Sequence, residues 1–387
     1  MTPGHFFAHI PGALGYYPED SIVLLGLRRA DNRLLLGPMA RFDVAAVRHS
    51  LDEAFDAVAS NTDMVFAFVV TARPEEECAD LSEFLFDFAD FDERGIDACW
   101  HVPELSVRQP YRQWFGPDEP LTCTPQEWLG GTLPEFMAAP SMQDWVDVGE
   151  LPAESREALI GPLRAANPHI GREDAETVER IALAVAMDVI AWLLDGEGPD
   201  WAGNLAHTLL DDVERVIADI DPGADVRRDE ESLSAAALWL SVPMLRDVVI
   251  EPLLKRPAAA AALMLATAQT FGGEVRSNAL VLYAAALIAS DKSMLASPVL
   301  NVASEDNPEH SLTHLIQRAY RGGLVDRIVG NLTHGSSLAR AQWRRRLDAA
   351  DSRTARPARA GGEDGSDDAG ESPAMKEAGE TRSRRAA

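Results

Sequence analysis

Over the first hundred residues the apolar positions form short continuous runs separated by amphipathic stretches. Ser21–Arg28 and Arg33–Ala40 flank Asp31-Asn32 and predict a strand pair. In Asp43–Ser60 the residues Val44, Val47, Leu51, Phe55 and Val58 recur at helical spacing. Met64–Thr71 is unbroken, aromatic and β-branched, which predicts a central strand covered on both faces. Pro74 then opens a helix whose first turn, Glu75 to Glu77, suits the helix dipole; its apolar face is Leu81, Phe84, Leu85, Phe88 and Phe91. Ile96–Val102 reads as a further strand. The order β-β-α-β-α-β predicts an α/β N-terminal domain with a mixed sheet over residues 1–102.

The texture changes at Pro103. Residues 103–152 hold eight prolines and four glycines among Trp114, Trp128 and Trp145. Prolines interrupt regular structure while buried aromatics demand packing, so the expectation is an ordered, irregular connector. From 153 to 350 the period is helical, which predicts an all-α domain. Helices are expected at Glu173–Leu194, Trp201–Ile220, Leu233–Trp239, Ala258–Thr270, Asn278–Ala289, Lys292–Ser304 and Glu309–Arg321. The first is apolar on two sides: Ile181, Val185, Val189 and Trp192 on one, Leu183, Met187, Ile190 and Leu194 on the other. It is therefore expected to lie centrally in the core. Ala284, Leu287, Ala296, Leu300 and Ala303 alternate small with large as in one tetratricopeptide-like unit, or in any tight helical hairpin. Residues 351–387 lose nearly all large apolar residues and are expected to be a disordered tail.

Charge narrows the partners. The chain carries 35 Lys+Arg against 62 Asp+Glu, a net charge of −27. Such a surface repels nucleic-acid phosphates and anionic headgroups, so direct nucleic-acid binding and membrane binding are not expected. A protein with a basic surface suits it better, and the oligomeric state is left open. Lys255, Lys292 and Lys376 are its three lysines, a usage typical of GC-rich genomes. Three cysteines, Cys78, Cys99 and Cys123, give no paired framework, and the N-terminus has no signal-peptide pattern. A cytoplasmic location is the expectation.

Several segments together carry a resemblance. Pro11-Gly12-Ala13-Leu14-Gly15-Tyr16-Tyr17-Pro18-Glu19-Asp20-Ser21, running on to Gly26, resembles the opening motif of an uncharacterised actinobacterial family, domain-of-unknown-function family 4192. Arg41-Phe42-Asp43 is similar to its Arg-x-Asp, Ser155-Arg156-Glu157 to its Ser-Arg-Glu, and Arg246-Asp247 to its Arg-Asp pair. Leu280–Leu324 resembles its closing helices. Cys123-Thr124-Pro125 and Ser290-Asp291 depart from the family pattern. The resemblance implies one fold over Pro11–Leu324 and brings no activity with it.

The chemistry candidates each admit two readings. The Gly12–Ser21 segment precedes a strand, so it is no phosphate loop. Tyr17, Glu19, Asp20 and Ser21 could form a polar mouth, or Pro18, Asp20 and Ser21 could simply make a turn. Asp43 stands where a helix N-cap is expected, and Arg41 could grip an anion or pair on the surface. Glu76, Asp80, Glu83, Asp87 and Asp90 line one helix face, where divalent cations or a basic protein could dock, or where water alone could solvate them. Cys99, His101 and Cys123 lack structural zinc spacing, so no metal site and no cofactor is assigned. Nucleophile signatures are absent, and the reading leans against an enzyme. Arg246 and Asp247 need partners if buried. The expectation is that the two domains pack with Arg246 near Glu19, Asp20 or Asp43, and Asp247 near Arg41. The first function expected is a protein-interaction or regulatory module with an acidic surface. The alternative is an enzyme or small-ligand binder, with a polar site at the Gly12–Ser21 loop and the inter-domain cleft.

Overall fold

The computed structural model describes residues 2–30, 33–60, 62–88, 95–116 and 126–354. It opens with a helix, α1 (Pro3–Leu14), which Pro3 starts and Gly15 ends. Gly15 has φ +81°, a left-handed conformation that costs a residue with a Cβ, and its amide bonds the Pro11 carbonyl at 2.8 Å. Then follow β1 (Ser21–Ala30), β2 (Arg33–Asp43), α2 (Val47–Ala59), β3 (Met64–Val70), α3 (Glu75–Phe86) and β4 (Ala98–Val102). This is the expected β-β-α-β-α-β series with one unforeseen helix in front.

Residues 103–152 are more regular than their prolines suggested. They supply β5 (Pro110–Phe115), α4 (Gln126–Leu129), β6 (Gly130–Thr132) and α5 (Gln143–Val148). The sheet is six-stranded and mixed, in the order β2-β1-β3-β4-β5-β6. Among the described strands, only the β3–β4 pairing is parallel. Alternation along β1 explains its unbroken apolar run. Ile22 and Leu24 join Leu51, Phe55 and Val58 of α2 and Leu81 and Leu85 of α3 on one face. Val23, Leu25 and Leu27 join Phe6, Phe7 and Ile10 of α1, with Trp100, Met142 and Trp145, on the other. Helix α1 thus closes the second layer, and the connector's tryptophans and methionine seal it.

The remainder is helical: α6 (Arg156–Arg164), α7 (Arg172–Asp195), α8 (Asp200–Asp219), α9 (Glu230–Leu240), α10 (Pro243–Lys255), α11 (Pro257–Thr270), α12 (Gly273–Ala289), α13 (Ala296–Asp306), α14 (Ser311–Arg321) and α15 (Val325–Thr354). One apolar core joins them. Helix α12 lies deepest, with Leu280, Ala284 and Leu287 buried against Leu300 and Ala303 of α13. Helix α7 departs from expectation. Ala182, Ala186, Val189 and Leu193 face the core, while Ile181, Leu183, Met187 and Leu194 are exposed. It is a one-sided helix in an outer position, not a central one. The expected tail, 351–387, is described only to Thr354, the last residue of α15.

The two halves meet along a short strip. Ala153 forms a bridge with Tyr16, and its amide donates to the Gly15 carbonyl at 2.9 Å. Lys292 pairs with Glu150, and Leu295 packs against the α1 side of the sheet core.

Candidate functional site

The Gly12–Ser21 segment is part helix, part turn. Gly12 sits inside α1 where a Cβ would fall 2.5 Å from the Ser141 carbonyl, so only glycine fits. Trp145 Nε1 donates to the Gly12 carbonyl at 2.9 Å. Asp20 has φ +42°. Its carboxylate accepts from Arg73 Nε at 2.8 Å and Nη2 at 2.6 Å, and from Thr71 Oγ1 at 2.7 Å. The Arg73 hydrogen bonds, acting against partial burial, hold the Asp20 carboxyl below its ordinary value. Asp20 is therefore a clasp between the start of β1 and the end of β3. It neither satisfies local turn amides nor lines the inter-domain cleft. Glu19 contributes its carbonyl, which accepts from Ser21 Oγ at 2.5 Å.

Arg41 and Asp43 end β2 at the boundary between the halves. Arg41 Nε donates to Ser21 Oγ at 2.9 Å, and Nη2 lies 2.6 Å from Asp43 Oδ1. The guanidinium stands over the Tyr16 ring at 5.9 Å. Asp43 precedes a single 3-10 turn, Val44–Ala46, before α2, and its side chain makes no capping bond. The expected N-cap role gives way to the ion pair because the neighbouring arginine is the stronger partner.

These residues form one wall of a cleft of about 600 Å³. Tyr16, Arg41, Asp43 and Ser50 face Arg156 of α6, Ser297, Asn301 and Glu305 of α13, and Gln317 and Arg321 of α14. Glu305 accepts from Arg156 Nη2 at 3.2 Å and Arg164 Nη2 at 2.5 Å, so one carboxylate is shared by two guanidiniums. Gln317 Nε2 donates to Asn301 Oδ1 at 3.0 Å, and both residues line the cleft. Arg321 is exposed in the last turn of α14 and enters no ion pair or hydrogen bond among the described residues. Burial pushes the Tyr16 phenol up, and the charges of Arg41 and Arg156 oppose that shift. Guanidiniums, amides and hydroxyls outnumber carboxylates on these walls. That is unusual for a chain with net charge −27.

Arg246 and Asp247 lie elsewhere. Arg246 is buried on α10; Nε and Nη2 donate to Asp247 Oδ1 at 2.9 and 2.7 Å, and Nη1 donates to Asn278 Oδ1 at 2.9 Å. Asn278 Oδ1 also lies 3.0 Å from His310 Nε2. The partners expected across the domains, Glu19, Asp20 and Asp43 for Arg246 and Arg41 for Asp247, are replaced by this network within the helical half. Helix α12 supplies Asn278 between Arg246 of α10 and His310 at the start of α14.

The remaining candidates are separate. Cys99 is buried in the sheet core, and His101 stacks on Trp114 with Nε2 2.9 Å from the Thr71 carbonyl. Cys123 and Asp90 lie outside the described residues. Glu76, Asp80 and Glu83 are exposed on α3, while Asp87 follows its end. Among the described residues no group of three His, Cys, Asp or Glu could hold a metal ion, and no helix is long and apolar enough to cross a membrane. Arg73, Tyr16, Arg321 and Glu305 went unremarked as site residues in the sequence. Arg156 and Arg321 were legible only as members of the segments that carry the family resemblance.

The family model described as Domain of unknown function (DUF4192) matches residues 3–326. No curated protein and no solved structure matches the chain.

Proposed function

The chain belongs to the Domain of unknown function (DUF4192) family, whose description assigns no activity, and we propose from the cleft that it binds a small anionic molecule between its two halves. The observation that carries this is the gathering of Arg41, Arg156 and Arg321 around about 600 Å³ in an acidic chain. Arg41 and Arg156 are held in place by Asp43 and Glu305, while Arg321 has no protein partner among the described residues. Fixed guanidiniums flanking a free one suit a carboxylate or phosphate, because the planar fork donates to two oxygens at once. The acidic exterior repels the same ligand, so the cleft is where it would settle. Of the two functions weighed from sequence, this favours the ligand-binding alternative at the inter-domain cleft.

Calorimetric titration of the full chain with citrate and with inorganic pyrophosphate tests it. At least one probe should bind saturably. Arg321→Gln and Arg156→Gln should each weaken that binding about tenfold or more, the scale of one lost charge-assisted hydrogen bond. Absence of saturable binding by both probes, or binding by either variant as tight as that of the unaltered chain, would count against the cleft.

A second reading, an interaction module for a basic protein, is supported by the exposed carboxylates Glu76, Asp80 and Glu83 along α3. Their mutual repulsion on one helix face would be relieved by cationic side chains of a partner.

A further inference from the structure

Helix α7 carries a feature that neither the cleft nor the acidic row uses. Residues 183, 187, 190 and 194 recur at intervals of four, three and four, which keeps them on one line of a helix. Leu183, Met187 and Leu194 are 47%, 53% and 41% exposed, and Ile190 is half-buried. Scattered exposed apolar residues need no explanation, but a continuous helical line does. The adjacent face, about 100° round the helix, is already occupied by the core through Ala182, Ala186, Val189 and Leu193.

The sequence of the line says what fits it. Residues 355–387 contain no Leu, Ile, Val, Phe, Tyr or Trp, so this chain's C-terminal segment cannot fill a heptad seam. The line is instead complementary to itself. Reversed about a two-fold axis between Asp188 and Val189, Leu183 meets Leu194 of the second copy and Met187 meets Ile190. These are the layers of an antiparallel two-helix seam. Ala184 and Ala191 flank the line on one side and allow the close approach of helices, about 8–10 Å between axes. Arg180 lies on that same side, where its only hydrogen bond among the described residues is to Thr177 Oγ1 at 3.0 Å. The axis brings it within two residues, about 3 Å along the helix, of the level of the second copy's Asp195. Asp195 is exposed at the C-terminal end of α7, where the helix dipole disfavours a negative charge and a cation is welcome. Asp188 of each copy stands near the axis on that side and opposes the pairing.

We propose that two copies of this chain associate antiparallel along α7, with Leu183, Met187, Ile190 and Leu194 as the seam and reciprocal Arg180–Asp195 bridges fixing its direction. Sedimentation equilibrium of the full chain over about 1–100 μM tests this, a range set by dissociation constants ordinary for modest interfaces. The mass should rise from 42.0 kDa toward its double. Met187→Glu should keep the chain monomeric throughout, with unchanged circular dichroism and melting temperature, since its side chain is outside the core. Arg180→Asp should weaken association about tenfold, and Arg180→Asp combined with Asp195→Arg should restore it. Asp188→Asn should tighten it. A monomeric mass across the range overturns the proposal. So does a dimer that Met187→Glu leaves intact, or a double swap that associates no better than Arg180→Asp alone.

Discussion

Two arginine–aspartate pairs, close in sequence terms, end in opposite situations. Arg41–Asp43 and Arg246–Asp247 each join a mostly buried guanidinium, 14% and 8% exposed, to a partly exposed carboxylate. Arg41 reaches past its aspartate into the open cleft, with Tyr16 beneath it. Arg246 reaches past its aspartate into packed helices, where Asn278 takes its remaining donor. The chemistry of such a pair is set by what lies beyond the guanidinium, and that is decided by the neighbouring element. A strand end at a domain boundary leaves room for a ligand. A helix set against α12 does not.

The comparison breaks first at Arg246. Arg246→Ala leaves a void among buried helices and strips a donor from fully buried Asn278, so it should cost about 3 kcal/mol in urea unfolding. A loss below about 1 kcal/mol, the range of a surface pair, would put Arg246 in the same class as Arg41.

The next effect is one of pH. His310 caps α14, and its Nδ1 lies 2.7 Å from Thr313 Oγ1. Burial, aided by the charges of Arg246 and His314 and opposed by Glu274, holds its imidazole below the ordinary value. Folding therefore disfavours the proton. The unfolded chain takes it up first, from about pH 6.5 downward, so this contribution to stability is complete above that pH and declines below it. His310→Asn keeps an acceptor for the Thr313 amide and removes the titration. Its stability should fall less between pH 7 and pH 5.5 than that of the unaltered chain, read by denaturant midpoint. An equal fall in both would show that His9 and His101, whose imidazoles burial also lowers, carry the acid sensitivity instead.

The smallest effect on stability sharpens the contrast. Arg41→Gln should change unfolding free energy by less than about 1 kcal/mol, because Asp43 is largely solvated. The same variant should weaken citrate or pyrophosphate binding. A stability loss as large as that of Arg246→Ala would mean that the cleft arginine is structural too.

What the sequence disclosed follows the strength of local periodicity. Met64–Val70 and Arg172–Asp195 emerge within a residue or two of their expected limits because one is continuously β-branched and aromatic and the other continuously helical in period. Helix α1 was hidden by Pro3, Pro11 and two glycines, all tolerated because the helix is buried under the sheet and its glycines meet close neighbours. Helix α10 was hidden in the same way by Pro243 and Pro252, and β5 and β6 by Pro110 and the Gly130-Gly131 pair. The two-sided apolar pattern of α7 misled because one of its sides is solvent-facing. At the site, Arg41 and Asp43 were legible from their own tripeptide. Asp20's partner Arg73 is 53 positions away, and no local rule joins them. The meeting of Arg41 with Arg156 and Arg321 is purely tertiary.

The cleft's walls also come off the ribosome at very different times. Tyr16, Arg41 and Ser50 are made early, α6 later, and Arg321 nearly last. At about 5–20 residues per second the first wall waits on the order of tens of seconds for the last. During that wait Arg41 already has Ser21 and Asp43 as partners from its own half. Arg41 is therefore partnered before α13 and α14 are made, whereas Arg156 and Arg164 wait for Glu305 of α13. A chain released before residue 321 would carry a finished sheet and no complete cleft.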